Sequence, residues 1–508
     1  MNQTTPMKLH LLVAVTAIML FAVSESIAGD WPTDPNAPLF VGSAEGPDDG
    51  RLSIAVASDR AVWAAWQDPF CQGDLRLQRM AINGTVLAPG GLAVQPDPTC
   101  GFVTPPDLVP SAMGVALGRG LADLSVSPVQ RFDPEGTATW GNGFGTVSVR
   151  RLGGLLALVG GDVLVVSTLA TTISVDRIDP TGMPVWAQTA SIDNTMGPNF
   201  RILDIVSDRL GGAYIFWDAP TTYRRTVRFA RIDRDGQLVL GPIAPMLTGE
   251  LDGHSRHTAP AAIADGNGGV VFIWTKGFES GTTPAPLLMQ HILPDGTNAF
   301  EIEGRRIALG TRRQYDPVVR TAGFGDILAV AWRDGQGADQ IVRTQLIRTE
   351  TAERLWGDDG VEVTALDPLI GSIDASWSFG DQTLSLPVTG PTGVAIHRVA
   401  VDGALEPAPL QISPMTPATG VHAVQFDGGI TVVWQSATGF ETALFAQRVN
   451  QGGRLGNPPC NRADFVSPFG TLDFFDVVEF LEIFTSGGFA ADLTDDGLLD
   501  FHDITIFL

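Results

Sequence analysis

The chain carries none of the local signatures of several common catalytic chemistries. It has no Gly-x-Ser-x-Gly elbow, no His-Glu-x-x-His helix, no Gly-x-x-x-x-Gly-Lys loop and no sialidase-type Asp-box turn. Elbow-type serine hydrolysis, zinc-peptidase chemistry and phosphate cradling therefore have no sequence support. His254 and His257 stand three apart in a polar stretch and read as a surface turn, not a metal pair. Charge is also scarce: only 17% of 508 residues are charged, and their balance is −24. Such a surface repels nucleic acid phosphates and anionic membranes, and by itself it names no partner. Long apolar runs are missing except for Leu11 to Val23, which is too short to cross a bilayer.

That short run has a purpose of its own. Lys8 precedes it, and Ser26-Ile27-Ala28 follows as a small-x-small cleavage site. The three features read as a secretory signal peptide over residues 1–28. The mature protein is then secreted or at the cell surface, with no membrane span. Cysteine is rare, at three residues. Cys71 and Cys100 fall within one repeat unit, where export favours a disulfide between them. Two separate buried thiols are the alternative, and Cys460 is left over.

What the chain does have is turns. Gly 58 and Pro 35, with 44% apolar residues, describe a folded body of short strands. A strand ending in a polar Gly turn recurs, as in Arg131-Phe132-Asp133-Pro134-Glu135-Gly136 and Arg231-Ile232-Asp233-Arg234-Asp235-Gly236. The turns end at 84, 136, 182, 236, 296, 403 and 453, and a degenerate copy, Gln345 to Glu350, fills the gap. The spacing of 46 to 60 residues is that of propeller blades. Asp-Gly and Asn-Gly suit hairpins that need positive φ.

About twenty residues before each turn, a Gly loop leads into an apolar strand that often ends in Trp: Trp66, Trp217, Trp274, Trp332 and Trp434. These read as packing between blades. The units around 110–170 and 370–390 lack the Trp and look weaker. In the fifth unit four strands are expected, Pro260 to Ala264, Gly269 to Trp274, Leu287 to Leu293 and Arg306 to Leu309. The last unit lacks a fourth strand, and Pro38 to Gly42 offers a spare one that would close the ring. The expected fold is all-β: a propeller of four-stranded blades over 29–459, eight-bladed if every copy folds and seven-bladed otherwise.

From 460 to 508 the composition turns acidic. Asp492-Leu493-Thr494-Asp495-Asp496-Gly497-Leu498-Leu499-Asp500-Phe501-His502-Asp503 places oxygen side chains at loop positions 1, 3, 5, 9 and 12, with Gly at 6. That is a calcium loop, in which Asp492, Thr494, Asp496, Asp500 and Asp503 are side-chain ligands and Leu498 serves through its carbonyl. Asp503 stands where a bidentate Glu is usual. An echo runs from Asp464 through Asp473 to Asp476, with Phe465 and Phe469 where oxygen ligands would be. Phe475, Val478, Phe480, Leu481 and Phe484 then recur at helical spacing within Asp473 to Thr485.

Two tandem loops, each followed by a helix, resemble a dockerin. Pro459-Cys460-Asn461-Arg462-Ala463-Asp464, Gly470-Thr471-Leu472-Asp473-Phe474-Phe475-Asp476 and Ala491-Asp492-Leu493-Thr494-Asp495-Asp496-Gly497 resemble the GC-type dockerin of exported bacterial proteins. The resemblance implies a small EF-hand-like α-helical module, calcium as cofactor, and a cohesin-like or other cell-surface protein receptor. It also implies a Gly-Cys-containing tail, which the sequence does not reach at Leu508, so Cys460 lacks the partner expected of it. The leading functional expectation is a non-catalytic binding or display propeller with an unknown ligand, anchored through this module. The rivals are a dockerin-bearing carbohydrate-active enzyme, whose carboxylates need no fixed sequence spacing, and a structural envelope protein.

Overall fold

The structure is a computed structural model that describes residues 31–45, 52–67, 75–95, 106–119, 127–140, 147–149, 151–193, 200–220, 225–241, 261–276, 285–322, 326–368, 371–378, 382–426, 429–438, 441–450, 452–456 and 474–486. The strands form eight separate four-stranded antiparallel sheets. Blade 1 consists of Leu52–Val56, Val62–Gln67, Leu75–Met80 and Leu92–Gln95, running from the innermost strand outward. Blades 2 to 7 repeat this order, with innermost strands Asp107–Ser111, Arg151–Ala157, Arg201–Ser207, Ala261–Ala264, Gln314–Ala322 and Ser376–Ser378. Blade 8 takes Ala418–Phe426, Gly429–Thr438 and Glu441–Asn450, and its outermost strand is the N-terminal Leu39–Glu45. Neighbouring innermost strands pack side by side all the way round, blade 8 against blade 1 included. The fold is a closed eight-bladed β-propeller, and the spare N-terminal strand closes it as expected.

Why these sequences form blades is visible at the repeated turns. The Asp133 N–H donates to Thr137 O and the Gly136 N–H to Asp133 O, a three-residue hairpin loop that ends in the left-handed region. Gly136 and Gly182 occupy it at φ 78° and 91°. The turn aspartates serve the loop itself, since Asp179 Oδ1 accepts from the Thr181 and Met183 N–H groups at 2.8 and 2.9 Å. In the degenerate copy the loop is one residue longer, closing from Arg348 N to Glu353 O, and the left-handed position falls on Ala352 at φ 57°. The units that lack a second-strand Trp fold into complete blades 2, 3 and 7. In blade 5 the outermost strand is Arg305–Arg306, shorter and earlier than expected, because the chain leaves the ladder after Ile307 N bonds Leu287 O.

The core sits between blades. Trp66, Trp217, Trp274, Trp332 and Trp434 are all buried, each in a cluster shared with the preceding blade. A second joint, not foreseen in the sequence, links one blade to the next blade's turn. Trp140 Nε1 donates to Pro180 O at 3.1 Å, Trp186 Nε1 to Arg234 O at 2.9 Å and Trp356 Nε1 to Val401 O at 2.9 Å. Arg177 and Arg231 reach Arg234 O and Pro294 O from their third strands, at 3.0 and 2.9 Å. A Cβ on Gly236 would stand 2.7 Å from the Trp186 ring, so that glycine is needed for approach as well as for its φ of 78°.

The third strands carry another recurring device. Gln78, Gln130, Gln290 and Gln345 are buried, and each amide clamps backbone about ten residues ahead, in the connection from the third strand to the outermost strand of the same blade. Gln290 Oε1 accepts from Phe300 N at 3.1 Å and its Nε2 donates to Glu301 O at 2.9 Å. Gln290→Leu keeps the volume but strands both groups. At about 1–3 kcal/mol for each orphaned group, the variant should lose about 3 kcal/mol, read as a lower guanidinium midpoint. An unchanged midpoint would show that the clamp contributes nothing.

Beyond the ring, Phe474–Ser486 forms a helix. Its Phe480 is buried and meets Phe484 at 5.6 Å between ring centroids. Among the described residues no helix is long and apolar enough to cross a membrane.

Candidate functional site

Innermost strands bring three aspartates to the wall around the axis, and all three are tied to the backbone of the following blade. Asp107 Oδ2 accepts from Leu155 N of blade 3 at 2.5 Å. Asp204 accepts from Ala262 N of blade 5 and from its own neighbour Ile205 N, both at 2.8 Å. Asp374, just before the inner strand of blade 7, accepts from Ala423 N of blade 8 at 2.7 Å and from Arg320 Nη2 at 2.6 Å. Burial pushes the Asp107 carboxyl up to about 6, against the lowering pull of the Leu155 and Leu108 N–H groups. Burial likewise pushes Asp204 up to about 7, and the nearby charge of Asp107 adds to it. Both residues keep some exposed area, but the protein packed around them is what makes the charge costly. These carboxyls are staples between blades.

Asp316 in blade 6 is different. The next residue is Pro317, which has no N–H to offer. Asp316 lies in the bulge between Tyr315 and Val318 with φ at 51°, the one non-glycine residue inside a strand to take the left-handed region among those described. Its Oδ2 lies 3.1 Å from Arg333 Nε, while its buried Oδ1 has no hydrogen-bond partner among the described residues. Burial outweighs the guanidinium groups of Arg333 and Arg313 and pushes this carboxyl up to about 7. Arg333 Nη2 is anchored on Gly371 O at 2.7 Å, and the Arg313 guanidinium stands 5.1 Å from the Tyr315 ring centroid. A carboxyl that exchanges its proton near neutrality beside a fixed guanidinium suits proton transfer or the gripping of a polar ligand. Sequence reasoning missed it; the available signal was an Asp-Pro pair inside a strand pattern, where proline is out of place.

The expected calcium ligands Asp464, Asp473, Asp492, Thr494, Asp496, Leu498, Asp500 and Asp503 lie outside the described residues, as do Cys71, Cys100, Cys460, His254, His257 and residues 1–28. Asp476 belongs to the helix Phe474–Ser486, which matches the helix expected over Asp473 to Thr485. Among the described residues no three His, Cys, Asp or Glu side chains gather as a metal group. One α-helix is described; the second helix expected from the sequence, starting at Asp500, lies outside the described residues.

No protein-family profile matches the chain, and no curated protein matches it. Solved structures similar to it include the Dos1 propeller, at 11% identity and a TM-score of 0.47, covering 82% of this chain and 95% of that one. The polysaccharide lyase Uly1 has 9% identity and a TM-score of 0.45, covering 68% and 89%. The β-propeller domain of the Trilobed protease from Pyrococcus furiosus has 9% identity and a TM-score of 0.41, covering 74% and 99%. Likeness at this level says nothing about activity, and the fold rests on the strand pairing itself.

Proposed function

We propose that the protein is an exported, non-catalytic binding or display propeller, held to a cohesin-like or other cell-surface receptor by a calcium-dependent, EF-hand-like dockerin module. The observation that carries the propeller half is the commitment of Asp107, Asp204 and Asp374 to backbone N–H groups across blade joints. Carboxylates at an axial wall are where a propeller would find acid and base, and these three hold the ring together. The module half is supported by the ligand spacing from Asp492 to Asp503 and by the helix that begins at Phe474 directly after Asp473.

Calorimetry on the whole chain tests the anchor. Calcium uptake is expected, and an Asp492→Ala, Asp503→Ala double variant should lose the second-loop component while the ring melts as before. Uptake unchanged in the double variant would refute the ligand set. A carbohydrate-active enzyme is the second reading, and Asp316 is the observation in its favour.

A further inference from the structure

We propose that the groove between the outer edges of blades 3 and 4 binds a neutral saccharide chain. The groove has a volume of about 760 Å³ and is lined by Val185, Trp186, Gln188, Arg234, Gln237 and Leu238, among others. That size suits a ligand of a few rings. The inference rests on reading the propeller as a binding body and names the class of its ligand.

Trp186 is the centre of the argument. It stands seven residues after its turn aspartate Asp179, as Trp140 does after Asp133. Both indoles donate to the next blade's turn and both lie on that turn's glycine. Trp140 is fully buried, whereas Trp186 is only half-buried and opens on the groove. Its hydrogen bond to Arg234 O at 2.9 Å and its contact with Gly236 hold the ring in place. An indole fixed before binding loses little freedom on contact, which is what a stacking platform requires.

The polar groups around it are uncommitted. The Gln188 and Gln237 side-chain amides make no hydrogen bond among the described residues, and both residues are exposed or nearly so. Arg234 is 73% exposed and comes no closer than 3.8 Å to Asp235. Two amides, a guanidinium and a carboxylate offer paired donors and acceptors to vicinal hydroxyls, and the indole face suits the C–H face of a sugar ring.

Other occupants fit less well. Arg177 is already spent on Asp162 at 2.7 Å and on Arg234 O at 3.0 Å, so a polyanion would meet one open cation on a chain of net charge −24. A peptide adding to a sheet edge would find Ala190–Asp193 or Leu238–Leu240, four and three residues long.

The test titrates the whole protein calorimetrically, in EDTA, with cellohexaose, xylohexaose, mannohexaose, maltohexaose, laminarihexaose and chitohexaose in turn, and polygalacturonate as the anionic comparison. Saturable binding of at least one neutral hexasaccharide is expected. It should weaken at least tenfold in Trp186→Ala and in Gln188→Ala, Gln237→Ala, the second pair being exposed and safe for folding. The proposal is overturned if none of the six binds saturably, if only polygalacturonate binds, or if the Gln pair leaves binding unchanged. Calcium uptake is measured on the same variants, so failure of the anchor and failure of the groove are read separately. Chromatography of the recovered sugar reports cleavage, which would overturn the non-catalytic reading and leave the groove's role to the variants.

Discussion

A chain that begins after residue 45 should not form the ring, and its cooperative melting transition should be lost. Residues 31–45 supply the outermost strand of blade 8, paired from Leu39 with Ala446 to Glu45 with Glu441. They also supply Trp31, Leu39 and Val41 to the cluster between blades 8 and 1. Burying each such side chain is worth about 1.5–3 kcal/mol, so the three contribute roughly 6 kcal/mol before any strand hydrogen bond. Trp31 Nε1 donates to Ile82 O at 3.0 Å, and the buried Arg448 guanidinium lies 5.0 Å from the Trp31 ring centroid. Arg448 also donates to Ile82 O, and burial pushes its pKa down to about 9. Truncation would remove this cation's platform and uncover the edge from Glu441 to Ala446 together. Trp31→Ala alone should cost about 3–5 kcal/mol. Circular dichroism melts of both variants provide the check. A truncated chain melting within a few degrees of the parent would remove the closing role assigned to this strand.

The second large effect is on pH. Asp107, Asp204 and Asp316 have folded-state carboxyls raised from 3.8 to about 6, 7 and 7. The folded chain therefore holds protons that the unfolded chain releases, and stability falls as pH rises from about 4 to about 7. Above about pH 7 the whole penalty is present. Each unit is worth about 1.4 kcal/mol; partial contact with solvent reduces the sum, leaving on the order of 5 kcal/mol. Asp179, Asp265 and Asp295 act oppositely, because hydrogen bonds hold them below the usual carboxylate range and their contribution disappears below about pH 4. His397, kept neutral by burial, also opposes acidification once the unfolded imidazole charges below about pH 6.5. The melting temperature should thus peak near pH 4 and fall by several degrees at pH 8. Asp204→Asn removes one titration and one acceptor. It should melt below the parent at pH 5 and approach or pass it at pH 8. A difference between the two that is the same at both pH values would show that Asp204 does not titrate with folding.

Much of this architecture was legible because its cause is local. A hairpin that needs a left-handed residue selects Gly, so Gly84 through Gly453 marked seven of eight third-strand ends. The eighth was blurred because its loop is longer and Ala352 takes the strained position. Blades 2, 3 and 7 looked weak because the packing Trp was sought only at the end of the second strand, whereas blade 7 places Trp377 on its inner strand. The indole-to-turn joints and the Asp staples were not legible, since each partner lies on another blade and no local pattern records it. Asp316 stayed hidden as well: its meaning depends on Arg333 across the sheet.

The N-terminal strand has one more consequence. Outermost strands of the other blades are two to five residues long, whereas Leu39–Glu45 is seven and leaves Phe40 43% exposed. A straight edge of that length would be a template on which a neighbouring molecule's strand could grow. The register slips between Phe40 and Gly42, so Val41 turns into the core and the open rim of the strand is bent. The same kink that seats Val41 thus denies a flat landing strip to another copy, at the longest outermost edge among the described residues.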